Sequence, residues 1–104
     1  MNKHILIITG TSSYPIISKL VNPIKKHYIN VYKAPITISA FLTKDIVMEI
    51  LKKISLSDFD LILLPGFVQW DAKILEDKYK IELINLLKSQ VKKNIMSFWR
   101  NKGN

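Results

Sequence analysis

Two uninterrupted apolar runs stand out along the chain: Ile5-Leu6-Ile7-Ile8, closing at Thr9-Gly10, and Leu61-Ile62-Leu63-Leu64, closing at Pro65-Gly66. A segment apolar at every position suits a strand covered on both faces, as in a parallel sheet between helices. Ile29-Asn30-Val31-Tyr32-Lys33 alternates instead and is rich in β-formers, which predicts a strand with one wetter face. Between these runs the spacing becomes helical. Ile16, Ile17, Leu20, Val21 and Ile24 fall on one stripe, as do Ile46, Val47, Ile50, Leu51 and Ile54.

The flanking residues set the ends of these helices. Ser12 or Ser13 can cap the first, Pro15 suits its first turn, and Pro23 should stop or kink it. Thr43 is a natural cap for the second, with Asp45 at the positive end of its dipole. Ser55-Leu56-Ser57-Asp58 breaks the pattern before the third strand. The order strand, helix, strand, helix, strand predicts a small open, mostly parallel α/β sheet with helices on both faces, Rossmann-like or flavodoxin-like. Strand orders 2-1-3 and 3-2-1 both satisfy the sequence.

The last forty residues are more ambiguous. Asp71 can cap a helix over 72–80. Residues 81–84 predict a short fourth strand and residues 86–99 a closing helix, although Ile84, Leu87, Val91, Ile95 and Phe98 also form a single helical stripe. The whole chain, 1–104, reads as one α/β domain.

Ligands of open parallel sheets bind beyond the carboxyl ends of the strands, where the strand order reverses. Segments 9–15 (TGTSSYP), 34–43 (APITISAFLT) and 65–71 (PGFVQWD) converge there. The middle one is unusually apolar for a connection, and two roles fit it. Ile36, Ile38, Phe41 and Leu42 either cover the open end of the sheet as core or wall a pocket. In the second case Phe41 and Trp70 add aromatic walls, and Thr37, Ser39, Gln69 and Asp71 the polar contacts. Thr9, Gly10, Thr11 and Ser12 precede a helix and offer amides and hydroxyls to an anion, although helix capping alone accounts for the serines. Lacking a Gly-Lys-Ser/Thr sequence and further glycines, the loop is neither a P-loop nor a dinucleotide fingerprint.

Catalytic constellations are hard to assemble at this rim. His4 and His27 lie at the amino ends of the first two strands, without carboxylates at metal-ligand spacing, and read as structural or exposed. Asp71 is the only carboxylate of the rim segments. The site is one for binding more than for catalysis, with no metal expected.

ILIITG and YPII near the start, APITISAFLT in the middle and DLILLPGFVQWD resemble the N-terminal Rossmann-like domain of the archaeal dihydropteroate synthase-like proteins. The likeness spans roughly residues 4–72. It rests on Thr9, Gly10, Ala40, Phe41, Leu42, Thr43, Pro65, Gly66 and Asp71, with AFLT the most specific block. In that family the domain is joined to a barrel that holds pterin. A barrel does not fit within 104 residues, so no catalytic residue carries over. The resemblance implies a non-catalytic domain of pterin cofactor metabolism that binds a small ligand such as a pterin, or a dihydropteroate synthase-like barrel partner. Phe41 and Trp70 would stack on the ligand and Asp71 would bond its amino-pyrimidine edge. Trp70 stands where the family pattern has glycine, and Asn85-Leu86-Leu87-Lys88 where it has a Gly-Pro-Lys segment. The basic part from about 73 to 104 has diverged.

Charge adds a second reading. The formal charge is +8, carried by fifteen lysines and one arginine, and no acidic residue follows Glu82. Lys88, Lys92, Lys93, Arg100 and Lys102 could serve a nucleic-acid-binding module, although a solvated helix face explains them as well. Ile95, Met96, Phe98 and Trp99 could instead form a homo-oligomer surface. The absence of cysteine excludes disulfides and thiolate chemistry and fits a reducing cytoplasm. The N-terminal apolar run is too short for a signal peptide, and none reaches the ~18 residues of a membrane span, so a soluble, cytoplasmic protein is expected.

Overall fold

In the computed structural model, the residues described are 3–25, 27–37, 42–65, 68–86, 90–93 and 95. The elements run β1 (His4–Thr9), α1 (Tyr14–Val21), β2 (Tyr28–Lys33), α2 (Lys44–Lys53), β3 (Leu61–Pro65), α3 (Lys73–Tyr79) and β4 (Glu82–Leu86). Residues 91–93 and 95 are also helical. Each strand pairing is parallel, and the sheet order is β2-β1-β3-β4. The fold is thus the small α/β sheet that the apolar pattern predicts, and the open strand order resolves to 2-1-3, with β4 beside β3.

Period-two alternation divides each central strand between two cores. Ile5 and Ile7 of β1 and Leu61 and Leu63 of β3 point to one face, where Ile17 and Val21 of α1 pack with Val91 and Ile95. Leu6, Ile8, Ile62 and Leu64 point to the other, against Val47, Ile50 and Leu51 of α2 and Leu75 of α3. Each such buried aliphatic contributes about 1.5–3 kcal/mol. The distribution of helices follows from right-handed crossovers. The chain moves one way across the sheet from β1 to β2, then back past β1 to β3 and on to β4, so α1 takes one face and α2 and α3 the other.

Local signals act at the predicted places. Pro15 lies in the first turn of α1, and the helix ends at Val21, before Pro23. Thr43 Oγ1 accepts from the Ile46 amide at 3.2 Å and caps α2. Ser13 occupies the N-cap position of α1 without a side-chain capping bond. The first helical stripe is narrower than its sequence suggests. Ile17 and Val21 are buried, whereas Ile16 is 56% exposed because it sits about 100° round the helix from Ile17. Residues 56–58, which break the second helical pattern, form one 3₁₀ turn.

β4 covers 82–86, slightly later than the predicted 81–84. Of the expected closing helix, residues 91–93 and 95 are helical, and the remainder of 86–99 beyond β4 lies outside the described residues. Ile84 belongs to β4, so the stripe through Ile84, Leu87 and Val91 is not one continuous helix. Among the described residues no helix is long and apolar enough to cross a membrane.

Candidate functional site

The switch in strand order falls between β1 and β3. The chain leaves β1 for α1 on one face and leaves β3 for α3 on the other, so the loops after Thr9 and Pro65 diverge at the carboxyl rim. The predicted site residues that the structure describes lie on three segments at this rim. Ser39, Phe41 and Gly66, together with Ile38 and Ala40, lie outside the described residues.

The first two segments are joined by backbone hydrogen bonds. The Thr11 amide donates to the Ile36 carbonyl at 2.8 Å and the Ser12 amide to the Thr37 carbonyl at 3.0 Å. Below them, the Ala34 amide donates to the Thr9 carbonyl at 2.8 Å, extending the β1–β2 ladder. The Ile36 amide turns back to the Ala34 carbonyl at 2.8 Å, a γ-turn centred on Pro35, whose fixed φ suits it. Thr9 is buried, while Thr11, Ser12 and Thr37 are exposed and brought together. The amides that the anion reading placed before a ligand at Thr11 and Ser12 are therefore committed within the chain. Their hydroxyls are what this loop offers.

The third segment is anchored by its indole. Trp70 Nε1 donates to the Leu42 carbonyl at 2.8 Å, and the Trp70 ring packs on the core cluster of α2 and α3. Leu42 and Val68 are buried in that cluster, with Ile36 packed against it. The apolar character of APITISAFLT has a core-closing role at each described aliphatic position. Gln69 and Asp71 are exposed on either side of Trp70. Asp71 Oδ1 accepts from the Lys73 amide at 2.9 Å, an Asx turn leading into α3, whose N-cap position is Ala72 rather than the predicted Asp71.

Sequence reasoning named the side chains at the rim but missed the backbone carbonyls of Ile36, Thr37 and Leu42 that hold them. A carbonyl carries no residue-type signal, so nothing in the sequence marks these partners.

At the opposite end of the sheet, the His4 amide donates to Asp60 Oδ2 at 2.9 Å, and the Asp60 amide to the His4 carbonyl at 2.7 Å. The His4 ring stacks on Tyr28 with centroids 4.7 Å apart, and His27 is buried. These positions match a structural role for both histidines. Among the described residues no group of three or more His, Asp or Glu could hold a metal ion.

On the basic segment, Lys92 and Lys93 are exposed while Val91 and Ile95 are buried in the core beside α1. Ile95 is therefore not part of an association surface. Lys88, Arg100, Lys102, Met96, Phe98 and Trp99 lie outside the described residues. No family model, curated protein or solved structure matches this chain.

Proposed function

We propose that this chain is a non-catalytic binding domain that holds a small ligand or a partner chain at the carboxyl rim between β1 and β3. The observation that supports this reading is the strand order β2-β1-β3-β4, whose reversal falls between β1 and β3, the place where α/β sheets bind ligands. The chemical class comes from the likeness to the N-terminal domain of dihydropteroate synthase-like proteins: a pterin, or a pterin-binding barrel. Asp71 would accept from the amino-pyrimidine edge, since a carboxylate retains acceptor capacity beyond the one bond given to Lys73. Phe41 and the Trp70 ring would supply aromatic surface, with the hydroxyls of Thr11, Ser12, Thr37 and Ser39 at the margin. A cytoplasmic setting goes with this reading, because a chain without cysteine suits a reducing compartment.

The test is thermal unfolding with a panel of oxidised and reduced pterins, at low and high salt. A ligand at a hundred times its dissociation constant adds about 2.7 kcal/mol, which raises the midpoint of a domain this size by roughly ten degrees. A salt-insensitive rise with one pterin is the expected result. No rise with any pterin would remove the pterin assignment. A rise only with single-stranded nucleic acid, lost at high salt, would transfer function to Lys92, Lys93 and the basic segment around them.

A further inference from the structure

The fold sorts charge between the two layers of helices. Residues 1–44 and 83–104 contain neither aspartate nor glutamate, so all eight acidic side chains fall within 45–82. The two acid-free stretches are far apart in the chain. The core that joins Ile17 and Val21 to Val91 and Ile95 sets them side by side on the α1 face. On the opposite face, α2 and α3 carry five lysines interspersed with Asp45, Glu49, Glu76 and Asp77.

Six described lysines lie on the α1 side. Lys19 is exposed on the helix, Lys25 on the turn after it, and Lys92 and Lys93 on the helical segment beside it. Lys33 holds its ammonium 5.1 Å from the Tyr14 ring centre, and Lys3 shares the parity of Ile5 and Ile7. Among the described residues none of the six has a carboxylate partner, whereas Lys52 of α2 meets Glu49 at 3.1 Å. The described strands contribute one carboxylate to this face, Glu82, at the amino end of the edge strand β4. Like charges gathered this way repel one another, a cost that a bound polyanion removes.

The same face opens into a cleft of about 540 Å³. Tyr14, Ser18, Asn22 and Lys25 line it, bringing hydroxyls, an amide and an ammonium but no carboxylate. Hydrogen-bonding groups in a cleft beside a field of cations suit a chain of phosphates whose sugars and bases can insert. An anionic lipid surface would leave the cleft unfilled and find one large exposed aliphatic side chain on α1, Ile16. We infer that the α1 face binds single-stranded nucleic acid through its phosphate backbone, with one nucleotide seated in the cleft. Lysines are point charges without the guanidinium fork, so they grip phosphates without selecting bases, and binding is indifferent to base sequence. These lysines and cleft residues include none of the side chains proposed for the rim site.

Fluorescence anisotropy of a labelled single-stranded oligonucleotide of mixed sequence, titrated with the full chain at several salt concentrations, tests the assignment. With about five phosphates neutralised, log K is expected to fall against log salt with a slope of about −3.5, roughly a hundredfold between about 50 and 200 mM. Lys19→Gln with Lys25→Gln is expected to weaken binding about tenfold or more at low salt and to make the slope shallower by about 1.4. Lys92→Gln with Lys93→Gln should do the same. Lys53→Gln with Lys78→Gln removes as much charge from α2 and α3, and should leave affinity and slope nearly unchanged. All six side chains are exposed, so each variant should keep its fold, which circular dichroism verifies. An oligonucleotide that fails to bind at low salt would overturn the inference. So would equal losses in the three variants, which would mean that net charge alone acts, or tighter binding to a duplex of the same sequence or to vesicles rich in phosphatidylserine.

Discussion

Trp70 and Leu42 are joined across 28 positions of the chain by one hydrogen bond, the indole Nε1 donating to the backbone carbonyl at 2.8 Å. The bond ties the loop after β3 to the entry of α2, so two of the three rim segments move together. It also satisfies the carbonyl of a buried residue that belongs to neither a strand nor a helix. Trp70→Phe keeps most of the ring and removes only the donor, and should cost about 1–2 kcal/mol. Trp70→Ala also removes the packing and should cost more, about 2–4 kcal/mol. Urea unfolding of the two variants separates these contributions. Equal losses would mean that the indole bond, not the ring, is what matters.

Asp71 has one structural role and one proposed role, and one substitution can separate them. Its Oδ1 accepts from the Lys73 amide in the turn that leads into α3, and in the proposed function its negative charge meets the ligand. Asp71→Asn retains the acceptor and should change stability by only a few tenths of a kcal/mol, whereas Asp71→Ala should cost about 1 kcal/mol. If a pterin binds at the rim, Asp71→Asn should weaken it about tenfold or more, since a charge-assisted bond is lost. Full affinity in this variant would move the ligand away from Asp71.

At the β4 edge, Glu76 should behave as a clamp. Glu76→Ala removes the acceptor from the Leu83 amide and should destabilise the domain by about 1–2 kcal/mol. Amide hydrogen exchange gives the more specific readout. Protection should fall at Leu83 and its β4 neighbours before it falls in β1, and Glu76→Gln, which keeps an acceptor, should restore most of it.

Lys80 is the one described non-glycine residue with positive φ, at φ 56° and ψ 40°, where the left-handed conformation ends α3. Its amide donates to the Glu76 carbonyl at 2.9 Å, so the turn also sets the position from which Glu76 reaches β4. A side chain in this conformation costs about 1–2 kcal/mol, part of which a glycine regains against its greater unfolded entropy. Lys80→Gly should therefore raise stability by about 0.5 kcal/mol, and Lys80→Val should lower it by more than 1 kcal/mol. Denaturation midpoints of the pair check the sign.

Much of the fold was legible because it depends on short-range periodicity. Ile5–Ile8 and Leu61–Leu64 are apolar at consecutive positions because each strand faces a core on both sides. Thr43, Pro15 and Pro23 act within one helical turn, and each acts where its chemistry predicts. The candidate site was legible only as a set of converging segments. The serines and threonines of the first loop suggested amides turned toward a ligand, yet the Thr11 and Ser12 amides turn toward Ile36 and Thr37. Trp70 suggested a stacking wall, and its polar edge proved to have a partner on a distant backbone.

By itself the sequence determined the first three strands, the helices between them, the Thr43 cap of α2 and most of the faces they bury, since neighbours within about one turn or one pleat fix those features. The tertiary structure decided what depends on residues far apart in the chain. It chose β2-β1-β3-β4 over the alternative order, committed the rim amides and the Trp70 indole, and set Glu76 against one edge of the sheet. The physical reason is that backbone donors and acceptors are the same at every residue. Which of them meet is settled only when the chain has closed on itself.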